Sequence, residues 1–343
     1  MQWDGRGRRW RQAAAVARMV SAVATAVVLM ATASSAVTVP PPALGVYTGP
    51  GPKGVYGAVD FSHWSGRRVA QILDFPPAAT WRDITNPSWL FEPHRKAEPR
   101  LILSLPLLTD DPDTTLTRCA AGEYNEQWAA LARNLVSYDL SDTTLRPGWE
   151  FNGTWYRWSA VNAEEDFAEC FRQVVRTMRT LSGQRFTFDW NPNLGPGTFP
   201  AERAYPGDSY VDFVGIDVYD ISWTVYPVPV GMTTPQAQQQ AWENILAGDH
   251  GLNFWSKFAQ ARGKSLSIPE WGVTWRSDGH GGGDNPEFVK NMMNFIENPV
   301  NQVRYANYFN SRDSPNLAHD IRRVNTRFPD SAAEFLRRMR PEA

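Results

Sequence analysis

The chain has 343 residues, 42% of them hydrophobic, and a formal net charge of −2 at neutral pH. That length suits one large domain or two small ones. A mildly acidic balance argues against nucleic acid as a partner and leaves a neutral polysaccharide open.

Residues 1–36 read as a secretory signal peptide. Arg6, Arg8, Arg9 and Arg11 form a positive start, Met19 to Ala31 an apolar run, and Ala31 to Ala36 a small-residue region with cleavage after Ala33 or Ala36. The alternative is a permanent N-terminal anchor, but the run is short against the ~20 apolar residues of a span. No stable membrane span is therefore expected in the mature chain, and the expected location is secreted or cell-surface. The Arg8-Arg9 pair is a poor match to twin-arginine export. Removing residues 1–36 takes away five arginines and one aspartate and leaves a formal charge of −6.

Residues 37–52 contain Pro40-Pro41-Pro42 and Gly49-Pro50-Gly51-Pro52 and read as a linker. Residues 53–343 show no composition break and are expected to form one catalytic domain, read as a monomer. The expected strands are 55–61, 80–85, 101–107, 144–150, 186–190, 211–219, 266–270 and 304–309. The expected helices are 69–73, 123–138, 164–181, 235–262, 286–297 and 316–340, the last broken near Pro329. Alternating strands and helices of this number fit an α/β fold, a single-domain (β/α)8 TIM barrel. A doubly wound sheet would carry a glycine-rich phosphate turn after its first strand. Asp60-Phe61-Ser62-His63-Trp64 is not one.

Cys119 and Cys170 are the only cysteines, and in an exported chain they are expected to pair. One precedes the 123–138 helix and the other lies in the 164–181 helix, on adjacent βα units. Five scattered histidines offer no metal-ligand spacing, so no metal or cofactor is expected.

Barrel enzymes place their chemistry at the C-terminal ends of strands. Glu150 ends one expected strand and Glu270 another. Asn191 and Asn193 follow a third, and Asp217 and Tyr219 end a fourth. Side chains alternate along a strand. Arg146, Gly148 and Glu150 should therefore share one face, as should Phe213, Gly215, Asp217 and Tyr219. Val214, Ile216 and Val218 should face the helices. Two carboxylates among aromatics suit glycoside hydrolysis: one protonates the leaving oxygen and the other attacks or activates water. Aromatic neighbours raise an acid's pKa by desolvating its charged form. Trp149 and Trp155 stand beside Glu150, and Tyr219 is the expected donor to Glu270. Arg146 could hold a carboxylate or a sugar hydroxyl, and Asn152, Asn191 and Asn193 suit hydroxyls as donors and acceptors. A lone Glu or Trp is more often structural. Here Trp64, Trp149, Trp155, Trp158, Trp190, Trp271 and Trp275 all fall at or just after expected strand ends, where packing alone would not send them. Trp149, Trp155, Trp158, Trp190 and Trp275 are therefore read, with Asp217, as substrate contacts.

At these residues the chain resembles glycoside hydrolase family 26, which includes β-mannanases. Arg146-Pro147-x-x-Glu150-x-Asn152-Gly153-x-Trp155-Tyr156-x-Trp158 resembles the family's acid/base segment. Tyr205-Pro206-Gly207-Asp208 through Tyr219 resembles its sixth strand, Trp190-Asn191-Pro192-Asn193 its fifth, and Pro269-Glu270-Trp271-Gly272 its nucleophile strand. The resemblance implies a retaining mechanism on a β-linked polysaccharide. Glu150 would be acid/base and Glu270 nucleophile, with Tyr219 steadying the nucleophile and Trp155 stacking on the sugar. The chain departs from the family at Trp149, where a histidine is usual, and this bears on mannan specificity. A non-catalytic glycan-binding barrel and a transglycosylase would share much of the pattern.

Overall fold

The computed structural model describes residues 41–195, 199–312 and 314–340. The expected signal peptide lies outside them. In chain order the elements are β1 (Ala43–Tyr47), α1 (Pro52–Ser65), β2 (Gln71–Asp74), α2 (Trp81–Thr85), α3 (Ser88–Arg95), β3 (Arg100–Leu105), α4 (Leu116–Ala120), α5 (Asn125–Ser137), β4 (Thr144–Pro147), α6 (Glu164–Arg179) and β5 (Thr187–Trp190). There follow β6 (Phe213–Gly215), β7 (Val218–Tyr219), α7 (Thr234–Ala247), α8 (Leu252–Ala261), β8 (Ser265–Gly272), β9 (Trp275–Arg276), α9 (Pro286–Glu297), β10 (Val303–Phe309), β11 (Leu317–Ala318) and α10 (Pro329–Met339).

The strands run parallel in the order β10-β1-β2-β3-β4-β5-β6-β8, and β10 also pairs with β8, which closes the barrel. β6 and β7 are two pieces of one barrel stave. Phe213 pairs with Ser265 and Val218 with Trp271, both on β8. β9 and β11 form a separate antiparallel pair. No helix among the described residues is long and apolar enough to cross a membrane.

Two apolar clusters follow from strand alternation. Leu73, Ile102, Tyr305 and Phe309 fill the barrel lumen, with Tyr47, Phe213 and Tyr219 against them. Val214, Ile216, Val218, Leu266 and Ile268 face outward into the much larger layer beneath the helices. The sixth stave thus points its faces as its sequence predicts.

The first two staves differ from expectation. The expected linker contains β1, whose five residues pair with β10 from Ala43↔Tyr305 to Tyr47↔Phe309. Residues 55–61, expected as a strand, lie in α1. Pro52 sits in its first turn, and its buried positions Gly54, Ala58, Phe61 and Ser65 follow a 3.6-residue period. The expected helix 69–73 overlaps β2, a four-residue strand buried at every position and so without alternation. Within 80–85, Trp81–Thr85 form α2, capped by Thr80, whose hydroxyl accepts from the Asp83 amide at 3.2 Å. The 235–262 helix is two helices, α7 and α8. In the 316–340 stretch only α10, starting at Pro329, is helical, and β11 precedes it.

Cys119 in α4 and Cys170 in α6 form a disulfide across 51 residues of sequence, with Cα atoms 4.9 Å apart. Both are fully buried. Closing a loop of that length removes unfolded-state entropy worth roughly 4 kcal/mol in the chain-entropy model. Cys170→Ser should therefore lower unfolding free energy in urea by about 2–4 kcal/mol. A variant as stable as the parent would show that the bridge does not constrain the unfolded chain.

Candidate active site

β4 delivers its carboxylate through a break in strand geometry. Gly148 has φ 62° and Glu150 has φ 54°, so the backbone turns left-handed twice just past Pro147. A left-handed glutamate is uncommon and costs free energy. It is held by a hydrogen bond from the Glu150 amide to the Asn191 carbonyl at 2.7 Å. Strict alternation therefore ends at Pro147, although Arg146 still points into the lumen and Glu150 still reaches the barrel mouth.

β8 delivers its carboxylate through a bulge. Ile268 pairs with Ala306 and Trp271 with Tyr308, so β8 fits one more residue than β10 between those pairs. Pro269 stands in the bulge, where a missing N–H is tolerated. Glu270 is 6% exposed and Glu150 9%. Arg146 Nη1 donates to Glu270 Oε1 at 2.9 Å and the Tyr219 hydroxyl to Oε2 at 2.7 Å.

Glu150 sits in a different environment. Burial and then the charge of Glu270 push its pKa up to about 7, against hydrogen bonds from Asn193 and Trp155 that favour the anion. Trp155 Nε1 donates to Glu150 Oε2 at 2.8 Å, and Asn193 Nδ2 donates to Oε1. The Trp155 ring is 58% exposed, so its indole anchors to the acid while its body stays open. Gly153 makes that position possible, since a Cβ there would lie 2.2 Å from the ring.

The guanidinium of Arg146 is fully buried at the centre of this arrangement. Nε donates to Asn191 Oδ1 at 2.6 Å, Nη1 also to Ser104 Oγ at 2.7 Å, and Nη2 to Asp217 Oδ2 at 2.7 Å. Burial opposes its charge, but Asp217 and Glu270 outweigh that and hold its pKa above the ordinary value. Burial pushes the Asp217 carboxyl well up, against the pull of Arg146. Asp189 lies deeper in the lumen, and its buried carboxyl rises to about 6. It accepts from Ser267 Oγ at 2.5 Å and from the Tyr305 hydroxyl.

Several residues expected to touch substrate are placed otherwise. Trp190 is fully buried on the outer face of β5, with Nε1 bonded to the Ala204 carbonyl at 3.2 Å and its ring against Trp255 and Phe258. Trp158 is buried, bonded to the Trp149 carbonyl and stacked on Tyr156. Trp149 is buried too, edge-on to Phe75 and donating to the Tyr156 hydroxyl at 3.1 Å. Trp275 carries the Arg327 guanidinium 3.9 Å from its ring centroid, which occupies a face. Trp64 lies in α1 and Trp271 packs outward on Tyr308. Asn191 and Asp217 are buried partners of Arg146. The Asn152 amide is tied to the backbone of Asn193 by two bonds of 2.8 Å. Packing, rather than sugar contact, accounts for most of the tryptophans near strand ends.

Sequence reasoning missed Ser104 and His319. Ser104 is the one polar residue in Leu101–Leu107, a signal that it points inward. His319 is buried with its ring 4.6 Å from that of Tyr219, and burial lowers its pKa to about 4, so a neutral imidazole backs the Tyr219 ring. Nothing local to His319 marks it, because the contact joins residues 100 positions apart. Among the described residues, no group of three His, Cys, Asp or Glu side chains could hold a metal ion.

Residues 119–229 match the family model of glycosyl hydrolase family 26. A mannan endo-1,4-beta-mannosidase of Bifidobacterium adolescentis is 27% identical over 201 residues, covering 48% of this chain and 20% of that protein. Endoglucanase H of Acetivibrio thermocellus is 36% identical over 98 residues, 26% of this chain and 11% of that protein. The matches thus span a fifth or less of the length of these curated relatives. In fold, the chain is similar to a double mutant of the Cellulomonas fimi endo-beta-1,4-mannanase, with TM-score 0.58 and 18% identity over 86% of this chain and 70% of that one.

Removing Arg146 would leave two buried carboxylates without their cation. Arg146→Met should cost about 3–5 kcal/mol of unfolding free energy. The loss should be larger at pH 8 than at pH 5, because the buried Asp217 carboxyl, already pushed up, takes up a proton as the pH falls. Denaturation at both values checks it, and a loss below about 1 kcal/mol would make the guanidinium dispensable. A second outcome concerns Glu150. Its folded pKa is raised from 4.5 to about 7, so its stabilising share is complete below the unfolded value and disappears as pH rises through 7. Glu150→Gln carries no such charge. Its melting temperature relative to the parent should rise between pH 5 and pH 8.5, and a constant difference would contradict the shift.

Proposed function

We propose that this chain is a secreted, retaining endo-glycoside hydrolase acting on a β-linked polysaccharide, β-mannan or a related β-glycan. The observation that carries the reading is the unlike pair of carboxyls at the barrel mouth. Glu150 has its pKa raised to about 7, which suits a group that gives up a proton and later takes one back near neutral pH. Glu270 receives hydrogen bonds from Arg146 and Tyr219, the setting of an attacking carboxylate. The family match and the names of the two relatives, a mannosidase and an endoglucanase, support the substrate class.

The mechanism follows as double displacement. Glu270 Oε attacks the anomeric carbon and the glycosidic C–O bond breaks. The leaving oxygen takes the proton of Glu150. Glu150, now a carboxylate, removes a proton from water as that water attacks the same carbon from the opposite face, and Glu270 leaves. Arg146 and Tyr219 hold Glu270 in line before attack. Trp155 offers a ring face to the C–H face of a pyranose while its N–H steers Glu150. The indole of Trp149 occupies the site of the usual family histidine and turns its N–H to Tyr156, so that position offers substrate no imidazole. The apolar and small-residue pattern of residues 1–36 supports export.

Reducing-end release from β-mannan, cellulose and mixed-linkage β-glucan should single out the substrate. On it, Glu270→Ala should lose nearly all activity and regain a measurable part with azide. The product should be the glycosyl azide of anomeric configuration opposite to the normal product, because azide enters from the vacated face. A single-step inverted product from the parent chain would replace the retaining mechanism.

A further inference from the structure

The loop after β7 carries a second open indole at the catalytic end of the barrel. Trp223 is 59% exposed, yet the backbone around it is fixed. Ile221 bridges antiparallel to Gly281. The Ser222 amide donates to the His280 carbonyl at 3.1 Å, and His280 Nδ1 lies 3.1 Å from the Ser222 carbonyl. Beneath them the buried Asp220 carboxyl accepts from the Tyr226 hydroxyl at 3.1 Å and from Asn285 Nδ2 at 2.8 Å. A large apolar ring kept open on so well-braced a support has surface to offer a ligand.

The His280 ring packs on that of Trp223 with centroids 4.2 Å apart, and the Arg276 guanidinium lies over the indole 5.3 Å from its centroid. Both brace the ring, and at 59% exposure much of it stays open to meet the C–H face of a pyranose, with their polar groups close to the hydroxyl edge. Arg276 is bonded through two nitrogens to Asp278, at 3.0 Å and 2.5 Å. The cation is thus neutralised in place, which favours an uncharged sugar over a uronic acid.

Position sets the role. Trp223 comes four residues after Tyr219, the donor to Glu270, a reach of at most about 14 Å along the chain. Trp155 is bonded to Glu150 on the loop after β4, and β5 and β6 separate β4 from β8 in the barrel. Trp155 and Trp223 therefore belong to different sectors of the rim, one bonded to Glu150 and the other just after the stave next to β8. We propose that Trp223, with His280 and Arg276, forms a sugar-binding subsite on the Glu270 side, remote from the bond cleaved, for a neutral residue of a long β-linked glycan. This rests on reading the cleft as that of an endo-acting hydrolase.

The test uses the full chain carrying Glu150→Gln, with and without Trp223→Ala. Each is titrated calorimetrically with β-1,4-mannohexaose, cellohexaose and the corresponding trisaccharides. Trp223→Ala should weaken the bound hexasaccharide about tenfold or more, weaken the trisaccharide far less, and leave the melting temperature unchanged. Trp223→Phe, which keeps a ring face, should recover most of the loss. Equal hexasaccharide affinity in the two chains overturns the subsite, as does an equal loss for both lengths. Reducing-end release by the parent chain separates the two readings. Release from a polysaccharide with no effect of Trp223→Ala removes the subsite alone. No release and no binding of any probe removes the hydrolase reading and the subsite with it.

Discussion

The guanidinium of Arg146 is the constraint on which the rest of the site depends. It is fully buried in the lumen and touches residues from β3, from the turn after β5, from the junction of β6 and β7, and from β8. A planar fork of five donors can satisfy partners converging from several directions, which a lysine ammonium cannot. Lumen-facing positions elsewhere are filled by Leu73, Ile102, Tyr305 and Phe309. Phe309 reaches the Tyr219 ring that serves Glu270, with centroids 5.9 Å apart, so the barrel interior is itself the base of the site.

The two carboxyls diverge because their surroundings do. Glu270 is reached by the cation and a phenol. Glu150 lies across the mouth, where burial and the charge of Glu270 outweigh the indole and amide donors. The asymmetry comes from two different local distortions, a left-handed backbone after β4 and a bulge in β8. Each re-aims one residue without disturbing the strand below it.

Much of this was legible in the sequence where residues act through their neighbours. The alternation in Phe213–Tyr219 assigns Asp217 and Tyr219 inward and Val214, Ile216 and Val218 outward, and the structure agrees. The spacing of Cys119 and Cys170 on adjacent units leads to a bridge, and one is present. The first two staves were hidden for a physical reason. β1 is five residues hemmed by proline and glycine, and β2 is too short and too uniformly buried to alternate. The apolar run in α1 looks strand-like until Gly54, Ala58 and Phe61 are read as one helical stripe. The tryptophans misled because a ring beside a strand end can turn toward the mouth or toward the helices. Trp190 turns outward and Trp155 upward, and residue type alone cannot separate them. Trp223 escaped attention because the 211–219 strand was expected to end before it.

The left-handed backbone at Glu150 sets folding and chemistry against each other at one position. Glycine would adopt that conformation without steric penalty and would bury no ionisable group. Glutamate does neither, so the native residue is the poorer choice for the fold and, in the proposed mechanism, the one that carries the proton. The acid is thereby pre-aimed. Its direction comes from φ and from the Asn191 carbonyl, not only from side-chain torsions, and shortening the side chain could not be offset by rotating it. Asp139, Asn162, His250 and Gln302 also take left-handed backbone, and Glu150 differs from them in being a buried carboxyl at the barrel mouth.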